Sequence, residues 1–72
     1  MTKVSAISLA EELGGKTVQI NDQNWQVMIR HSNGRVVVIS DIALWEFADD
    51  QALRDGRADK TIPLEFTYYR LR

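Results

Sequence analysis

The residues of this chain that could do chemistry are few, and they are scattered rather than clustered. His31 is its only histidine. A general base needs a group that orients it and a nucleophile or substrate beside it. His31 instead adjoins Asn33-Gly34, a turn signal, where a side chain is ordinarily exposed. The chain has no cysteine, which removes thiolate nucleophiles, disulfides and Cys-ligated metals, and no serine stands in a nucleophile-elbow context. Its glycines, at 14, 15, 34 and 56, do not form a phosphate-cradling loop. Neither catalytic residues nor a cofactor is expected.

Asp49, Asp50, Asp55 and Asp59 bring carboxylates close together in sequence. A calcium loop needs them at alternate positions, with Gly at the sixth and a bidentate Glu at the twelfth. Here Ala52 and Leu53 take ligand-spaced positions and Arg54 interrupts them. The acidic group reads as helix capping, not as a metal site. Arg30 and Arg35 flank the turn, and Tyr69, Arg70 and Arg72 gather at the C-terminal end after Tyr68. Aromatics interleaved with arginines can stack bases while neutralising phosphates. These five residues define an alternative reading as a small nucleic-acid-binding domain. A formal net charge of −1 gives that reading no general electrostatic support.

These groups must be positioned by the stretch from Trp25 to Asp41, WQVMIRHSNGRVVVISD. Two apolar-rich runs flank Asn33-Gly34, the pattern of a hairpin closed by a two-residue type I′ turn. That turn would set His31 opposite Val36, Arg30 opposite Val37, Ile29 opposite Val38 and Met28 opposite Ile39. Opposed residues share a sheet face and successive residues alternate. One face would then carry Trp25, Val27, Ile29, Val36 and Val38, and the other Gln26, Met28, Arg30, Val37 and Ile39. Both are apolar at their centres, whereas a sheet with one wet face should alternate cleanly. Something is expected to cover the Met28-Val37-Ile39 face: a helix of the same chain or another molecule.

The remaining elements follow in order. Ser5 to Leu13 reads as a short helix stopped at Gly14-Gly15, with Val4, Ile7, Ala10 and Leu13 as its apolar stripe. LAEELGG at 9–15 has the spacing of a helix-turn-helix start. Its second helix would have to be GKTVQINDQNW, which is Gly-led and β-branched, so the segment reads as a capped helix followed by a strand. Lys16 to Ile20 alternates as a strand with Val18 and Ile20 inward, and residues 21–24 are turn material. For residues 41–56 a strand with Ala43, Trp45 and Phe47 on one side, then a short helix capped by Asp49 or Asp50, is preferred to one long helix. Thr61 to Leu71 alternates clearly. Pro63 cannot donate to a ladder, so this strand belongs at an edge or has an unpaired start. Trp25, Trp45 and Phe47 read as core.

Seventy-two residues fit a single small domain over 1–72. Without disulfides or a metal, a chain this short often gains stability by associating. There is no long apolar span or signal-like start, so a soluble, cytoplasmic protein is expected. The expected fold is α+β: a small antiparallel β-meander of four to five strands with the short N-terminal helix packed on one face. A small SH3-like β-barrel is the alternative. The expected function is a non-enzymatic protein-interaction module with Met28, Val37, Ile39 and Pro63 as its contact residues and a homodimer as the simplest partner arrangement.

Overall fold

The computed structural model describes residues 1–22 and 24–63. The chain forms helix α1 (Lys3–Leu13), strands β1 (Lys16–Asn21), β2 (Asn24–Arg30), β3 (Val36–Ile39) and β4 (Ala43–Phe47), helix α2 (Asp50–Arg54) and strand β5 (Lys60–Pro63). The strands make one antiparallel sheet in sequence order, β1-β2-β3-β4-β5. The fold is the expected α+β meander. Among the described residues the sheet is open, with β1 and β5 at its edges, and not the barrel alternative.

The hairpin is where the expected geometry changes. Gly34 N–H donates to the His31 carbonyl at 3.0 Å, and His31 N–H donates to the Arg35 carbonyl at 2.9 Å. Asn33 keeps a negative φ and its Oδ1 accepts from Arg35 N–H at 3.1 Å, while Gly34 sits at φ 94°. This is a three-residue loop: an i-to-i+3 turn, then a left-handed glycine that no β-carbon obstructs. A type I′ turn would have required positive φ at Asn33 as well. The extra loop residue shifts the pairing by one, so Val27 faces Ile39, Met28 faces Val38, Ile29 faces Val37 and Arg30 faces Val36.

The shift regroups the side chains without leaving either face polar. Val27, Ile29, Val37 and Ile39 now share one face with Leu44, and α1 packs across it. Met28, Val36, Val38, Trp45 and Phe47 share the other.

Helix α1 starts earlier than its sequence suggested. Thr2 is its N-cap, the Oγ1 accepting from Ser5 N–H at 3.2 Å, and Gly14 ends it at φ 71°. The buried stripe is Ala6 and Ala10 with Leu9 beside them, one helical turn of small residues that lets the helix lie close to the sheet. Of the expected stripe only Ala10 faces inward: Val4 is 77% exposed, and Ile7 and Leu13 are also exposed. At the other end of the helix, Trp25 N–H donates to the Met1 carbonyl and ties the helix start to β2.

The strand-then-helix reading of 41–56 holds. Ser40, buried between β3 and β4, satisfies the tight connection: its Oγ accepts from the N–H groups of Ile42 and Ala43. Asp49 then caps α2, its Oδ1 accepting from Ala52 N–H at 2.9 Å. Ala52 is buried against the Val36-Phe47 side of the sheet, so the cap helps hold the only helical cover that face has among the described residues. Replacing Asp49 with Ala should lower stability by about 1 kcal/mol, read as a reduced urea midpoint with an unchanged slope.

Candidate functional site

Among the described residues the two sheet faces are covered by helices of unequal length, eleven residues in α1 and five in α2. On the α1 side, Val27 is fully buried and Ile39 is 4% exposed, with Val37 beside them. This is closed core. On the opposite side, among the described residues, Ala52 of α2 packs with Val36, Val38 and Phe47. The remainder is an open groove of about 600 Å³ whose lining includes Val18, Ile20, Met28, Trp45, Leu53 and Thr61. The groove runs from α2 across the sheet and reaches edge strand β1 at Val18 and Ile20.

The four contact residues expected from sequence are therefore not one surface. Val37 and Ile39 lie beneath α1, whereas Met28 lies on the groove side. The one-residue register shift separates them. Pro63 is exposed on edge strand β5, opposite Ala43, at the sheet edge its chemistry called for. Sequence reasoning assigned Val18 and Ile20 inward and Trp45 to the core. All three line the groove: Ile20 is 54% exposed, whereas Trp45 is half-buried and packs against the core cluster of Val36, Val38 and Phe47. The signal that could have found them was the alternation of KTVQI, which commits Val18 and Ile20 to one face without saying which.

Three of the arginines pair with nearby carboxylates. Arg30 Nη2 lies 2.9 Å from Asp50 Oδ1, and Arg35 Nη2 lies 2.9 Å from Asp59 Oδ2 and 4.0 Å from Glu46 Oε1. Arg57 is 2.8 Å from Asp55. Pairs this exposed add little stability, but they offset the positive charge of both hairpin arginines. The acidic residues are likewise engaged: Asp49 as a cap, Asp50, Asp55 and Asp59 with arginines. Among the described residues no group of His, Asp and Glu is arranged to hold a metal ion. His31 is exposed in the hairpin loop. Tyr69, Arg70 and Arg72 lie outside the described residues, as does the expected strand beyond Pro63. No described helix is long and apolar enough to cross a membrane.

The chemistry the groove itself offers is apolar contact through Val18, Ile20, Met28, Trp45 and Leu53. Compared with known protein families, with curated proteins and with solved structures, the chain matches none.

Proposed function

We propose that this chain is a non-enzymatic protein-interaction domain that associates with itself through the sheet side α1 leaves open. The observation that carries the reading is the unequal cover. One face is sealed by an eleven-residue helix, while the other presents partly exposed Val18, Met28, Trp45 and Leu53 behind a five-residue helix. Apolar groove walls that water must line are stabilised when a partner replaces the water. Symmetric pairing is the most economical way for one chain to supply such a partner.

The nucleic-acid reading has less support. Two of its five arginine and tyrosine residues, Arg30 and Arg35, are already neutralised by carboxylates of the same chain.

The test is molar mass by light scattering behind a sizing column, over about a hundredfold range of concentration. The mass should rise from 8.3 kDa toward twice that value as concentration increases. A mass that stays at the monomer value across the range would overturn self-association.

A further inference from the structure

We infer that Asn33 is a self-modification site: the Gly34 nitrogen closes on the Asn33 side-chain amide, ammonia leaves, and an aspartyl or isoaspartyl residue remains in the hairpin loop. The inference concerns the loop and does not rest on self-association.

An asparagine reacts with its own chain when the next main-chain nitrogen can reach its Cγ. A side chain on the next residue hinders that approach, and glycine has none. Of the three asparagines, Asn21 precedes Asp22 and Asn24 precedes Trp25, so only Asn33 precedes glycine. Asn21 and Asn24 also hold each other, Asn24 N–H donating to Asn21 Oδ1 at 3.0 Å.

The loop supplies access and polarisation. His31, Ser32, Asn33 and Gly34 are all exposed, and even a β-carbon placed on Gly34 would meet nothing within 4 Å. Asn33 Oδ1 accepts from Arg35 N–H at 3.1 Å. This bond closes a ring through Gly34 and keeps the Asn33 side chain folded toward the main chain that follows it. It also sets a donor on the oxygen that gains negative charge when the nitrogen attacks. One interaction opposes the attack. Gly34 N–H donates to the His31 carbonyl at 3.0 Å, and the nitrogen must first give up that bond.

The reaction consumes one water and releases one ammonia. Water or hydroxide takes the Gly34 amide proton, and the nitrogen lone pair forms a bond to Asn33 Cγ. The Cγ–Nδ2 bond breaks, and Nδ2 leaves with a proton as ammonia, giving a cyclic imide. Water then adds to one imide carbonyl and breaks its bond to the Gly34 nitrogen. Opening at Cγ gives aspartate, and opening at the main-chain carbonyl gives isoaspartate. Aspartate keeps an oxygen for Arg35 N–H and leaves the three-residue loop its length. Isoaspartate carries the main chain through Cβ and Cγ, which lengthens the loop that sets the β2–β3 register.

The experiment incubates the full chain at neutral pH, folded in buffer and unfolded in guanidinium chloride. Peptide mapping by mass spectrometry follows the amide-to-acid mass gain at each asparagine, and isoaspartyl methyltransferase labels the isomerised product. Asn33 should convert first in the folded chain, within about tenfold of its rate in the unfolded chain, because a single exposed hydrogen bond protects it. Asn33→Asp should keep the wild-type urea midpoint, whereas the purified isoaspartyl form should show a lower one. A folded chain whose Asn33 stays an amide while the unfolded chain converts would overturn the proposal, since the His31–Gly34 bond would then shield the nitrogen. Conversion led by Asn21 or Asn24 would overturn it as well.

Discussion

Replacing Ile39 with Asp should abolish the fold. Ile39 is 4% exposed, stands opposite Val27 in the ladder and packs in the cluster that includes Ala6 and Ala10 of α1. The substitution removes a buried branched side chain, a loss of about 2–5 kcal/mol. It also puts a carboxyl among aliphatic groups, where no hydrogen-bond partner offsets its desolvation. A domain of this size rarely holds more than about 3–5 kcal/mol of stability, so the two costs exceed what is available. The variant should show unfolded circular dichroism and collapsed amide dispersion at 25 °C. Ile20→Asp, on the exposed edge, should keep the native spectrum. A folded, monomeric Ile39→Asp protein would show instead that Ile39 belongs to an interface and that α1 does not seal this face.

That prediction reverses the one sequence alone would make, and the reason lies in a single loop residue. Asn33-Gly34 correctly marked the turn, and the alternation on either side correctly marked β2 and β3. What the dipeptide did not state is loop length. Asn33 can turn the chain with positive φ, or stay at negative φ and accept a hydrogen bond from Arg35 N–H, as it does here. The energy separating these options is small and local, yet the consequence extends along the whole ladder, because one step of register moves Val37 and Ile39 to the other face. The conclusion that both faces are apolar survived because VVVI is apolar at every position and is indifferent to register. The residues forming each face did not survive.

The N-terminal helix shows the same limit from another side. Its existence and its stop at Gly14 were legible from local signals. Its buried face was legible only at Ala10, because Val4, Ile7 and Leu13 are larger and more hydrophobic than Ala6, and a periodicity argument weights size. The sheet chose instead by fit: partly buried Trp25, Ile29 and Leu44 already fill the space, and small helix residues let the backbones approach. Local chemistry was equally reliable for Asp49 and Pro63, whose roles follow from one missing or one available hydrogen bond. The groove depended on long-range packing of α2 against β4, so no single stretch of sequence outlined it.

The adjacent glycines at the end of α1 should respond very differently to the same substitution. Both look like one helix stop, and Gly14 is the one with the conformational requirement, at φ 71°. A β-carbon there meets nothing within 4 Å, so Gly14→Ala should cost about 1–2 kcal/mol, the strain of a left-handed alanine. Gly15 has no positive φ, and its backbone conformation alone would admit alanine. A β-carbon at Gly15, however, would lie 2.8 Å from the Met28 carbonyl oxygen, 2.9 Å from Ile29 Cγ1 and 3.1 Å from Val27 Cγ1. The nearest of these is backbone in the middle of β2, paired on both sides and unable to retreat without disturbing the register with β1 or β3. Gly15→Ala should therefore cost about 2–3 kcal/mol, more than its neighbour, and lower the melting midpoint by about 10 °C or more. Thermal melts of the two variants decide the point. If Gly14→Ala proves the more damaging, the helix stop is governed by backbone conformation alone, and the close approach of the α1–β1 corner to β2 contributes nothing to stability.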